Sequence, residues 1–227
     1  SNDQINNAIK AYRNKEDPYK IVPLRDEVGH GTKAAGIMGA RGYNSEFQGI
    51  ANESEFVVVK LFQSTNFNKQ LKENGLNEIP VYNSSEIVAG LEFLKRTAVE
   101  RNQPMVIYIG IGSTEGSHDG TNLISRYITE LGNSRGICCV AGVGNEGDSQ
   151  GHASGNIKNV GDTKTVELKI PREIKYFQLN IWVRRPNIAS INVISPTGEA
   201  STIIDAKTGK IQPVKFVFLN TTMVIRY

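Results

Sequence analysis

The chain has 227 residues, 39% of them apolar, with 26 basic and 23 acidic side chains and a formal net charge of +3. That composition suffices for a buried core of ordinary size, in one large or two small domains, and speaks against a disordered chain. The charges are spread evenly, so neither nucleic acid nor an anionic membrane is an expected partner, and no apolar run reaches the length of a membrane-crossing helix or forms an N-terminal signal core.

In chain order, Ser1 and Gln4 make a capping box for a helix carrying Ile5, Ala8, Ile9 and Tyr12. Residues 28 to 40, VGHGTKAAGIMGA, set His30 between two glycines at the start of a second helix. Its small residues, Ala34, Ala35, Gly36 and Gly39, let it lie close against a sheet. The run FVVVKLF at 56 to 62 reads as a strand buried on most of its length, and 63 to 82, rich in Asn and Lys, as a long polar surface loop. Asn83 with Glu86 caps a helix whose apolar face is Ile87, Val88, Leu91, Leu94 and Ala98. A strand over 105 to 111 follows. Asp119 then opens a helix with Leu123, Ile124, Tyr127, Ile128 and Leu131 on one face, ended by Gly132, and a strand over 137 to 143 completes the alternation.

Strand, helix, strand, helix, strand with short connections predicts right-handed crossovers and a parallel sheet, a doubly wound α/β fold in three layers. Cys138 and Cys139 are neighbours in the last strand, where side chains alternate between faces, so they read as two small buried apolar residues and not as a disulfide. With no CxxC and no His/Cys cluster, no metal site or other cofactor is expected. His118 and His152 read as isolated loop histidines. After residue 152 the pattern changes to short β-branched and aromatic runs at 165 to 170, 176 to 183, 190 to 196, 214 to 220 and 222 to 227, separated by turns such as SPTGE at 195 to 199 and a turn at Gly209. This is an antiparallel β signature.

Two segments carry chemistry. An imidazole fixed at a helix start, His30, suits a general base, because proton transfer depends on geometry first; the plainer alternative is a capping or core histidine. Asn145 follows the buried strand in ICCVAGVGNEGD, at the carboxyl end where ligand crevices lie in parallel sheets. Its amide N–H suits stabilisation of an oxyanion; the alternative is an Asn chosen for a left-handed turn.

With MVIYIGIGSTEG at 105 to 116, these runs resemble the subtilisin-like serine proteases, in which a GHGT histidine, a substrate-pairing triplet and a GNEG asparagine occur in this order. The likeness spans roughly residues 18 to 151. SHDG at 117 to 120 and HASG at 152 to 155 point within the family to the clostridial Csp-type germination proteases. The resemblance implies His30 as catalytic base and Asn145 as oxyanion donor. It implies Gly110, Ile111 and Gly112 as the triplet that pairs with substrate backbone, with Gly110 in place of the usual serine. Gly142, Val143 and Gly144 would form one wall of the pocket for the residue before the scissile bond.

It further implies peptide-bond hydrolysis of a protein or peptide substrate in a bacterial spore, in the cortex or coat region. A partial protease core would cover 1 to 151, and part of a β-sandwich or jelly-roll insert 160 to 227. Family triads run Asp, His, Ser. None of Asp3, Asp17 and Asp26 follows an apolar strand, and no Gly-Thr-Ser run follows Asn145. The expectation is therefore an internal fragment, inactive alone, whose remaining partners are missing segments of the same protein. The alternative of another class is a pseudoprotease that binds a peptide or signalling ligand without cleaving it. A flavodoxin-like nucleotide domain would need a glycine-rich phosphate loop after a first strand, which is absent.

Overall fold

A computed structural model describes residues 1–43, 47–73 and 79–227. The chain divides into two compact units, Ser1–Phe177 and Gln178–Tyr227.

The first unit is built around a two-stranded parallel sheet. β1 (Met105–Ile109) pairs with β2 (Ile137–Ala141) in the register Met105↔Ile137 to Ile109↔Ala141. Side chains alternate across a strand, so Ile107 and Cys139 fall on one face and Val106, Tyr108 and Val140 on the other. The first face is the core. Ile107 packs with Leu91 of α4 (Ser84–Arg101) and Leu131 of α5 (Leu123–Gly132), and Ile87, Leu94, Tyr127 and Ile128 close around them. Burying each of those three side chains contributes about 1.5–3 kcal/mol. The opposite face is open, with Val106 70% exposed. The expected α/β alternation and parallel pairing are present, but helices cover one face and, among the described residues of this unit, two strands form a ladder. Cys138 is exposed and Cys139 only half-buried, which corrects the reading of both as buried; both thiols are free.

α1 (Asn2–Arg13) has the predicted capping box between Ser1 and Gln4, yet it buries Ala8 and Ala11 while Ile5 and Tyr12 stay exposed. α2 (His30–Gly39) begins where expected. Its small-residue face meets the following chain: a Cβ at Gly39 would sit 2.6 Å from the Phe56 ring and 2.9 Å from the Ala51 carbonyl oxygen. That close approach is why the position needs glycine. Residues 56 to 62 form no ladder, and Val58 and Phe62 are exposed, because no described strand lies alongside. The segment expected as a surface loop from 63 contains α3 (Thr65–Glu73) and an isolated bridge Gln63↔Tyr82; its residues 74 to 78 lie outside the described ones. Asn83 is the N-cap of α4 without a side-chain capping bond; its amide instead donates to Glu86 at 3.4 Å. α5 is capped by Asn122, whose Oδ1 accepts from Ser125 N at 2.8 Å, and Asp119 builds the turn before it. The helix pair is joined by Tyr127 OH donating to Glu92, and that bond with burial pushes the phenol up to about 12.

The runs 165 to 170 and 176 to 183 are exposed and form no ladder, against the expected strands. In the second unit, β3 (Ile211–Phe216) and β4 (Thr221–Arg226) form an antiparallel hairpin, and Ile191↔Ile204 and Ile194↔Ala200 form bridges. β3 starts earlier than the expected 214. Its turn is stapled by the Glu199 carboxylate, which accepts from Val217 N at 3.0 Å and Phe218 N at 3.3 Å. The expected turns are present, with Gly198 at φ 83° and Gly209 at φ 76°. Ile204 and Phe216 are the unit's buried apolar residues.

Candidate active site

His30 is the first residue of α2, exposed to solvent, and its ring makes no hydrogen bond to any described residue. What holds it is the backbone beneath. The N-cap, Gly29, is left-handed at φ 79° and has no side chain with which to cap. Asp26, three residues upstream, supplies the cap. Its Oδ1 accepts from Gly29 N at 2.8 Å, and its Oδ2 from Thr32 N at 2.8 Å and Thr32 Oγ1 at 2.7 Å. Thr32 N is one of the helix's orphan donors, and a carboxylate there also meets the positive end of the helix dipole. The Thr32 hydroxyl, then the Thr32 and Gly29 amides, hold the Asp26 carboxyl down at about 2. Both oxygens are committed to the turn, so Asp26 orients the helix start and not the imidazole. The spacing of an acid three residues before a glycine N-cap was the available signal for this residue.

The strand pair brings the other candidates together. β1 and β2 are adjacent, parallel and in register, so the segments leaving their carboxyl ends, Gly110-Ile111-Gly112 and Gly142-Val143-Gly144-Asn145, emerge side by side. That edge is where parallel sheets place ligands. Gly110 is close to the preceding ring: a Cβ there would stand 2.8 Å from a Tyr108 ring carbon. Gly112, Gly142 and Gly144 have open space around the same point. Within the second segment the left-handed position is Gly144, at φ 89°, and Asn145 is not among the positive-φ residues. A left-handed backbone therefore does not account for the asparagine. Its side chain is exposed and makes no hydrogen bond to a described residue. No hydrogen bond joins His30 to Asn145 or to a carboxylate among the described residues.

The loops beyond these segments meet. His118 and His152, expected to be isolated, are stacked with ring centroids 5.4 Å apart and planes 18° apart. Beside His118, Asp119 Oδ1 accepts from Thr121 N at 3.0 Å, from Thr121 Oγ1 at 2.6 Å and from Ser117 Oγ. The Ser117 and Thr121 hydroxyls, then the Thr121 amide, hold that carboxyl down at about 2. Among the described residues no group of three or more His, Cys, Asp or Glu is placed to hold a metal ion, and no helix is long and apolar enough to cross a membrane.

Comparison with known proteins follows the same lines. A model of the subtilase family matches residues 2–202. The solved structure of the Clostridium perfringens CspB protease is similar to this chain with a TM-score of 0.70 and 26% sequence identity; the likeness covers 99% of this chain and 44% of that one. This chain thus spans less than half the length of that protein. No curated protein matches.

Proposed function

The chain belongs to the subtilase family, and from that premise we propose that it supplies the base and the oxyanion donor of a serine endopeptidase. The reading rests above all on the in-register pairing of β1 with β2, which sets Gly110–Gly112 and Gly142–Asn145 next to each other at one sheet edge. His30 takes the proton from a serine hydroxyl as that oxygen attacks the scissile carbonyl, and returns it to the leaving amine. Asn145 Nδ2 donates to the oxygen on which negative charge builds. Gly110 to Gly112 pair with extended substrate backbone, as in strand addition, and Gly142 to Gly144 wall the pocket for the residue before the scissile bond.

In this reading the serine and the aspartate that orients His30 come from segments of the parent protein outside this chain, and the chain alone is inactive. Residues 160–227 belong to a jelly-roll insert between Asn145 and the serine, following in sequence a protease core over 1–151. The parent acts on protein substrates in proteolytic activation during spore germination, an extension supported by the likeness to a Csp protease and by the SHDG and HASG runs.

The test is cleavage of a peptide library by the full-length protein that carries this chain, with and without a serine-directed covalent inhibitor. Cleavage blocked by the inhibitor and lost in His30→Ala is expected. Peptide binding without cleavage would replace this reading with a pseudoprotease, and cleavage by the 227-residue chain alone would overturn the division of the triad.

A further inference from the structure

We infer that His118 and His152 are a positioning pair, a ring-on-ring brace that ties the loop after β1 to the loop after β2 and thereby fixes Asn145. The inference rests on the oxyanion reading of Asn145.

Three observations carry it. The first is the stack itself, at 5.4 Å and 18°, a geometry in which two aromatic rings attract. The second is how the chain presents the two rings. A carbonyl oxygen only accepts, so the His118 Nε2 that lies 2.8 Å from Thr114 O is the protonated nitrogen, and the ring is pinned to the start of its own turn. His118 itself is left-handed at φ 54°, an uncommon conformation for a residue with a Cβ. The Asp119 turn beside it keeps the backbone there. On the other loop, Ser149 N and Oγ both donate to Glu146 O, at 3.0 and 2.8 Å, and Gly151 N donates to Ser149 Oγ at 3.3 Å, which folds the chain just before His152.

The third observation is what lies between the anchors. Asn145 sits in a stretch whose near end is held by the β2 ladder at Ala141. No hydrogen bond joins residues 143 to 151 to another described segment; their bonds are internal. The stack is thus a tether at the far end of the oxyanion loop, and its other half grows from the loop that continues the substrate-pairing segment. An oxyanion donor works only if it is already aimed when charge develops. A tether of this kind acts on kcat more than on KM.

The test uses the full-length protein with two readouts. His118→Asn keeps a residue that tolerates the left-handed turn while removing the ring, His152→Ala removes the partner, and His152→Phe keeps a ring. Each of the first two is expected to lower kcat by about 2- to 10-fold, the worth of one aromatic pair, with KM little changed. The double variant should be no worse than either single, and His152→Phe should retain most of the activity. Independently of turnover, amide hydrogen exchange at Gly144 to Gly147 should quicken in His118→Asn, although the substitution lies in the other loop. Additive losses in the double variant, or unchanged exchange at Gly144 to Gly147, would overturn the brace. If Asn145→Ala has no effect on kcat while exchange still couples the loops, the brace stands and the oxyanion reading fails.

Discussion

The turn that carries His30 and the turn that carries Asn145 are fixed by opposite means. His30 rides on a helix start that a single upstream carboxylate clamps through three short hydrogen bonds, all within seven residues of chain. Asn145 has no such local clamp: the strand before it and a stacked ring pair beyond it hold a stretch otherwise bonded only to itself. A local clamp forms with its own turn, whereas a loop held at its two ends depends on tertiary partners that must already be in place. The base should therefore be robust to changes elsewhere, and the oxyanion donor sensitive to them.

The contrast can be broken at several points, the largest first. His30→Ala in the full-length protein removes the proton acceptor and should lower kcat/KM by about 10²- to 10⁴-fold. Asn145→Ala should lower kcat with KM nearly unchanged, by about 10²- to 10³-fold, the cost known for losing one such donor in subtilisin. Steady-state kinetics on both variants decides the roles; a rise mainly in KM for Asn145→Ala would make the amide a ground-state contact. Gly144→Ala tests the loop itself. A Cβ there meets nothing within 4 Å, so the cost is the left-handed backbone alone, about 1–2 kcal/mol. Because that loop lacks a local clamp, part of the strain should relax by moving Asn145, and kcat should fall while the melting temperature changes little. The same fall for Gly142→Ala, which has open space and no positive φ, would mean that strain is not the cause.

The smallest effect concerns pH. Asp26 is lowered from 3.8 to about 2 in the folded chain. A group depressed in this way adds stability above its ordinary value, and that stability disappears as pH falls toward the folded value. Amide exchange at Thr32 and Gly29 should therefore stay slow on acidification down to about pH 4 and lose that protection progressively between about 4 and 2. Asp26→Asn, which cannot carry the charge, should show faster exchange throughout and no such transition. Rapid exchange at Thr32 already at pH 5 in the unaltered chain would show that the clamp is not what holds the helix start.

The core was legible where two sequence signals coincide. α4 and α5 combine a 3.6-residue apolar period with caps or stops, and β1 and β2 are apolar runs of strand length placed between them, so all four appear close to their expected positions. The run 56 to 62 has the same apolar character, but β-branched residues favour a strand only where a partner lies beside it, and the same holds for 165 to 170 and 176 to 183. α3 escaped because TNFNKQLKE offers only Phe67 and Leu71 at helical spacing. At the site, the positions of His30 and Asn145 at a helix start and beyond a strand end were readable from glycines and periodicity. Asp26 is less legible: it does not follow the strand a triad aspartate would, and only its spacing to the Gly29 N-cap hints at the cap it forms. The histidine stack was not readable at all, since only the parallel pairing of β1 with β2 brings the two loops together.

The alternation of β2 leaves two chemically similar thiols in different surroundings. Cys138 is exposed on the open face of the sheet, while Cys139 is half-buried toward α5, and burial, with a smaller effect of Cys138, pushes its thiol up. Thiol chemistry runs through the thiolate, so an alkylating dye should settle on the outer sulfur first. One strand thus offers a built-in labelling position a few residues ahead of Asn145, from which a fluorophore can follow that loop without disturbing the packed face.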